Sequence, residues 1–307
     1  MEVRVFSVAP LLIKGFRNMF RKKWFLFVCV ISVMAFFAVY YAVWYVPVKI
    51  KITELDLKSK NYPSGYPLLR IVAVSDVYAG SMHVTEQKLE ELVAHVNLMK
   101  PDIVLLLGNY INSWSVLGHY IAPNRISDIL TRINASYGVF AVFGKDDIFH
   151  GNRVSETAFR QNNIKTLSDK TVSVAIGNKK NILLTGIDSS KDVPETDALA
   201  KAIAKEKKAP RIIIANDAKD ILALDKSVLE NSVIALSGRT LGGQIVIPGM
   251  KPLFLDKDTK EIYGKYSLGD NGVLYVTSGI GTKKYPIRVN TEPEIVSVTL
   301  YPAPAKE

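Results

Sequence analysis

From Leu69 onward the chain alternates two hydrophobic patterns. Leu69–Val74 (LRIVAV), Ile103–Leu107 (IVLLL) and Val139–Phe143 (VFAVF) are short, nearly unbroken apolar runs. Such runs fit strands covered on both faces, because a half-exposed strand would alternate apolar with polar residues. Between them the period lengthens. Thr85 opens a predicted helix with the apolar stripe Leu89, Leu92, Val93 and Val96, and Ile126, Ile129, Leu130 and Ile133 mark a second. Strand, helix, strand, helix, strand implies right-handed crossovers and a buried parallel sheet. The second half is richer in strand-length runs: VSVAI, ILLTGI, RIIIA, VIALSG, QIVIP, VLYVTSG and EIVSVTL. Two layers of mixed sheet flanked by helices would bury them. Upstream, VKIKITELDL alternates from Val48 and reads as one more strand before the turn-rich NYPSGYP. The strands end in short polar loops, and in open α/β sheets ligands gather at the carboxyl ends of strands. The loops after Val74, Leu107, Phe143, Ala215 and Leu236 are therefore expected to converge.

Trp24 to Val46 (WFLFVCVISVMAFFAVYYAVWYV) contains no charged residue. At about 1.5 Å per residue it is long enough for the roughly 30 Å hydrocarbon core of a bilayer. Trp24 at one end and Tyr40, Tyr41, Trp44 and Tyr45 at the other suit its two interfaces. The predicted organisation is a basic segment 1–23, a transmembrane helix 24–46, a linker and strand 47–68, and a domain 69–307. Residues 1–23 hold +5 of the net charge of +10, so the rest is mildly basic and carries no nucleic-acid signature. Within 15 residues of the span, five Lys/Arg precede it and four follow it. That bias places the N-terminus in the cytoplasm and the domain outside it, on the periplasmic side, as a single-pass membrane protein. The one cysteine, Cys29, lies in the apolar stretch, which excludes disulfides and cysteine zinc sites from the domain.

The chemistry-bearing residues sit in the loops. No Ser-His-Asp pattern, P-loop or Gly-x-Gly-x-x-Gly is present. The loops LRIVAVSDVYAG, PDIVLLLGNYIN, YGVFAVFGKDD, IIIAND, SGRTLGGQIVIP and YVTSGIGTKKYPIRVNTEPEI follow one another in order from about Leu69 to Leu300. That order resembles the calcineurin-like metallophosphoesterase superfamily, in particular its membrane-anchored bacterial members of the UDP-2,3-diacylglucosamine pyrophosphatase type. The resemblance implies a four-layer αββα sandwich, tethered here by one N-terminal transmembrane helix. It also implies a site for two divalent metal ions, Mn or Zn, held by Asp, Asn and His.

Against that pattern the ligands are largely replaced. Asp76 matches the first. Tyr78 stands for a His, Asn109 for the bridging Asp, Lys145 for an Asn, Asp146 for the proton-donating His, and Asn216, Arg239 and Leu241 for three more His. A neutral amide bridges two cations poorly, Leu offers no lone pair, and Arg and Lys carry the metal's own charge. A metal pair is therefore not expected. A single cation on Asp76, Asp146 and Asp147 is the residual metal reading. Lys145 and Arg239 are expected to replace the metals electrostatically. Two readings of that arrangement stay open: an anion pocket formed by Lys145, Arg239, Gly242 and Gly243, or a salt-bridged relic. Asp146 and His150 are the weak catalytic candidates, and Tyr78, Tyr110, Trp114 and Phe149 the residues at the mouth. The function expected is a membrane-anchored pseudo-phosphoesterase that binds an envelope protein or an anionic lipid or nucleotide-sugar headgroup. An active hydrolase of membrane-lipid or nucleotide-sugar phosphoesters with a non-standard site is the alternative.

Overall fold

A computed structural model describes residues 9–112, 116–149, 152–177, 179–188, 209–256, 258–269 and 271–304. The chain divides into two compact units, Met1–Tyr45 and Val46–Glu307. The first is helical: α1 runs Ala9–Tyr40 and passes into a π-helical turn at Tyr41–Tyr45. The helix thus begins well before the uncharged stretch and carries the basic residues from Lys14 on. The segment Arg21–Val48 is long and apolar enough to cross a membrane.

The second unit holds two six-stranded sheets. The first comprises β1 (Lys51–Lys58), β2 (Leu69–Val74), β3 (Ile103–Leu106), β4 (Gly138–Ala141), β5 (Lys165–Thr166) and β12 (Glu294–Tyr301), in the order β1-β12-β2-β3-β4-β5. Its strands run parallel except where β12 meets β2. The second comprises β6 (Lys170–Ala175), β7 (Asn181–Ile187), β8 (Arg211–Ala215), β9 (Ser232–Ser237), β10 (Gly264–Leu268) and β11 (Gly272–Val276), in the order β10-β11-β9-β8-β7-β6. Helices α2 (Glu86–Leu98), α3 (Pro123–Leu130) and α5 (Asn152–Gln161) accompany the first sheet, with the short α4 (Lys145–Phe149) at a strand end. Helices α6 (Ala218–Leu222) and α7 (Lys226–Glu230) accompany the second.

Period-two alternation explains why the strand runs are apolar throughout. Leu69, Ile71 and Ala73 face a core shared with Ile212, Ile214, Ile234 and Leu236 of the other sheet. Val72 and Val74 face the opposite way, onto Leu89, Leu92, Ile126 and Ile129 of α2 and α3. On the second sheet Ile213 and Ala215 face Ala218 and Ile221. Every position of the central strands β3, β8 and β9 is buried by one neighbour or the other, giving the four layers. EIVSVTL joins the first sheet as β12, pairing with β1 and β2. One expectation changes. QIVIP is not a strand; Ile245 makes one isolated bridge to Val289. There Gln244 turns at φ 50° and donates from Nε2 to the carbonyls of Lys283, Tyr285 and Ile287 at 3.1, 2.9 and 3.1 Å.

Candidate functional site

The strand-end loops converge, as the strand order requires. Asp76 is fully buried at the end of β2 and accepts four hydrogen bonds. They come from Ser75 Oγ at 2.8 Å, Asn109 Nδ2 at 2.7 Å, Asn216 Nδ2 at 3.4 Å and the Arg239 backbone N–H at 2.7 Å. Burial pushes its carboxyl up from the ordinary range, opposed by those donors. Asn109 Nδ2 also donates to Asn216 Oδ1 at 3.0 Å, and Asn216 Nδ2 to the Leu107 carbonyl at 2.9 Å. Three loops are thus joined through two amides and one carboxylate.

The fourth loop adds Asp146 and Asp147. Asp147, also buried, accepts the backbone N–H groups of Asn109, Tyr110, Ile111 and Gly144 at 2.7 to 3.2 Å. Burial raises its carboxyl to about 7 against those four donors. Asp146 points the other way. Lys283 Nζ donates to its two oxygens at 2.7 and 3.1 Å, and Tyr78 Oη to Oδ2 at 2.7 Å. Burial and the neighbouring Asp146 drive the Tyr78 phenol far above its usual range, so it acts as a fixed hydroxyl donor. Asp76, Tyr78, Asn109, Arg239 and Leu241 all have φ between 46° and 69°, a left-handed backbone unusual for non-glycine residues.

The electrostatic stand-ins differ from those expected. Lys145 is exposed and has no ion pair among the described residues. Arg239 turns outward, its Nε 2.7 Å from Asp217 Oδ2 and Nη1 3.3 Å from Asp256 Oδ2. Only its backbone touches Asp76. The cations at the site are Lys283 and the fully buried Arg288, whose guanidinium donates to the carbonyls of Ser278, Gly279 and Gly281 at 2.9, 3.2 and 2.6 Å. Burial lowers the pKa of Arg288 to about 10, while Asp76 and Glu294 act to raise it. The four-residue anion grip is not assembled. Gly242 and Gly243 are buried, and the Gly243 N–H is committed to the Thr240 carbonyl at 2.8 Å. Leu241 is buried and contributes its carbonyl, which accepts Thr291 Oγ1 at 3.0 Å.

Of the residues expected at the mouth, Tyr78 and Tyr110 are buried; Tyr110 packs edge-on to Phe143 with ring centroids 5.7 Å apart. Trp114 and His150 lie outside the described residues, as does the Phe149 side chain. Lys283, Arg288 and Asp217 went unmarked in the sequence, although all three stand inside the loops that carry the resemblance.

The donor set does not fit two divalent ions. Arg239, Lys145 and Leu241 cannot ligate, and Asp76 and Asp147 are already surrounded by N–H and O–H donors. Nor are Asp76, Asp146 and Asp147 gathered for one cation; among the described residues no three His, Cys, Asp or Glu side chains are placed to hold a metal.

No family model matches the chain. It is similar to an uncharacterized metallophosphoesterase of Campylobacter jejuni, 30% identical over 254 residues that cover 82% of this chain and 64% of that protein. The uncharacterized metallophosphoesterase YkuE of Bacillus subtilis is 27% identical over 265 residues, 85% of this chain and 88% of the relative. The phosphodiesterase YaeI of Escherichia coli is 26% identical over 211 residues, 66% of this chain and 71% of the relative. The chain thus spans just under two thirds of the Campylobacter protein and most of the Bacillus one.

Proposed function

The chain belongs to the calcineurin-like metallophosphoesterase superfamily, and from that premise we propose that it is a membrane-anchored, non-catalytic member, a binding or scaffold module. One observation carries the reading: the positions that would hold metals are committed to internal pairing. Asn109 binds Asp76 at 2.7 Å and Lys283 neutralises Asp146 at 2.7 Å, so hydrolysis lacks the charge that would activate water and steady the phosphoryl oxygens. The helix over Arg21–Val48 supplies the anchor, with the domain outside the cytoplasm. The partners proposed are an anionic lipid or nucleotide-sugar headgroup, or an envelope protein.

Elemental analysis of the full chain tests this, after incubation with excess Mn²⁺ and Zn²⁺ and desalting. No retained metal is expected. A retained pair of ions would sink the non-catalytic reading. It would favour the alternative of an active phosphoesterase, to which the E. coli relative's name, phosphodiesterase, lends support.

A further inference from the structure

Exposed apolar side chains concentrate at the strand-end face of the second unit, beside the site. Met250, Leu253 and Phe254 are 57%, 49% and 49% exposed, and Val116 and Leu117 are 64% and 56% exposed. Three segments distant in sequence bring them together. Phe254 packs on Tyr285 with ring centroids 5.5 Å apart. The Val116 N–H donates to the Lys284 carbonyl at 3.0 Å, and the Leu253 N–H to the Ile245 carbonyl at 3.3 Å. Gln244 holds the backbone of 283–287 from beneath through three carbonyls. The rim is thus one continuous surface on a fixed base. Apolar patches of this kind on a folded domain mark a protein or membrane interface.

Charge and chain path select between those two. Lys251, Lys283 and Lys284 are exposed along the same rim, and Lys284 Nζ lies 5.4 Å from the centre of the Tyr285 ring. Its acidic neighbour Asp256 is paired with Arg239. Aromatic and aliphatic tips among lysines suit the headgroup region of an anionic bilayer. The chain also enters the domain at this end. Lys51 opens β1 opposite Glu294, β12 runs antiparallel to β2, and Glu294 N donates to the Gly279 carbonyl while Ile280 N donates to the Ser75 carbonyl. Lys49 Nζ pairs with Glu292 at 2.7 Å. The first strand therefore starts at the end of the sheet that carries Asp76. From Tyr45 to Lys51 the chain spans at most about 20 Å even fully extended.

We propose that this rim, formed by residues 116–117, 247–254 and 283–285, docks on the surface of an anionic bilayer, turning the strand-end site toward the membrane in which the chain is anchored. The proposal rests on the anchor reading of Arg21–Val48 and is independent of whether the site is catalytic. Docking at the rim confines any ligand of the site to groups within reach of the bilayer surface.

The test is hydrogen exchange on the full chain in phosphatidylcholine nanodiscs with and without phosphatidylglycerol. Alkaline carbonate extraction from vesicles checks the anchor first; a chain that washes off overturns the anchor and the docking together. For an anchored chain, exchange in 245–255 and 283–287 slows in the anionic discs while β3 is unchanged. Burial of one Leu or Phe corresponds to at least about tenfold in the docked population, so Leu253→Ser with Phe254→Ser abolishes the protection. Lys251→Glu with Lys284→Glu weakens it. These side chains are exposed, and unchanged β3 exchange confirms that the variants remain folded. Equal exchange in both discs, protection that survives the Ser variants, or protection that instead rises with protein concentration would overturn the proposal, the last by assigning the rim to a second copy.

Discussion

Asp146 and Asp147 are neighbours in the chain and differ in everything that fixes a carboxylate. Asp147 is enclosed by four backbone N–H groups, donors that belong to the loops themselves. Asp146 is held by one phenol and one lysine whose side chain is 45% exposed. The same division runs through the whole cluster. Inside, Asp76, Asn109, Asn216 and Asp147 tie four loops with neutral donors. Outside, Lys283 pairs with Asp146, and Arg239 with Asp217 and Asp256; Lys283 and Asp256 reach water while Asp146 and Asp217 stay buried. The inner half therefore holds the left-handed loop backbones without a metal's charge. The outer half is where charge remains available to a ligand.

Removing each aspartate in turn separates the two halves by the widest margin. Asp147→Ala strands four N–H groups in a buried place and is expected to cost about 3–5 kcal/mol, the scale of a broken buried network. Urea unfolding of the full chain reads it, with Asp76→Ala close behind. A loss below about 1 kcal/mol for Asp147→Ala would mean that the inner cluster is not what holds the loops.

A second effect, near 3 kcal/mol at most, follows from pH. Asp188 accepts the Phe143 N–H at 2.9 Å, and burial raises its carboxyl to about 6, with Asp169 and Glu156 adding to the rise. A folded pKa above the unfolded one means that the folded state holds the proton more tightly. The stabilisation is complete below about pH 4 and is lost as pH rises through about 6, by about 1.4 kcal/mol for each pH unit that separates the folded and unfolded pKa values. Asp147, raised to about 7, acts in the same direction. Asp188→Asn keeps the acceptor and should flatten the fall between pH 4 and 6; an unchanged slope would remove Asp188 as its source.

A third, of about 2 kcal/mol, comes from Asn109→Asp. The change deletes the donor to Asp76 and sets two carboxylates side by side in a buried site, where like charges cannot both ionise freely. Denaturation midpoints with and without Mn²⁺ measure it. The loss is expected to persist in Mn²⁺, because Arg239 and Leu241 still offer no ligand. Recovery of stability would show that one residue separates this site from a metal centre.

What the sequence made legible follows from how locally each feature is determined. Leu69–Val74 and Ile103–Leu107 read as strands because both faces are buried, and the α2 stripe because it repeats with the helical period. The convergence of the loops followed from strand order. QIVIP looked like a strand, yet Gln244 is captured by three carbonyls on a loop some forty residues away. β10 escaped notice because GKYSL is mostly half-exposed and buries only Leu268. The positions at the site were legible; their partners were not. Lys145 stands one residue from Asp146, but the lysine that reaches it is Lys283, 137 residues away. Nothing local to Lys283 distinguishes it from Lys284, which turns to the Tyr285 ring instead.

The smallest effect separates the two halves most cleanly. Lys283→Ala and Asp146→Asn are each expected to change stability by no more than about 1 kcal/mol, since an ion pair with one partner so exposed gains little over water. Their double-mutant cycle should return a coupling of a few tenths of a kcal/mol, shrinking in salt, whereas the inner cluster should ignore salt because its donors are uncharged. A coupling of several kcal/mol would place Lys283 inside the structural scaffold, committed to Asp146 and unable to meet a ligand. A small one leaves Lys283 able to exchange Asp146 for an incoming anion at little cost, as a binding module requires and a sealed relic would not.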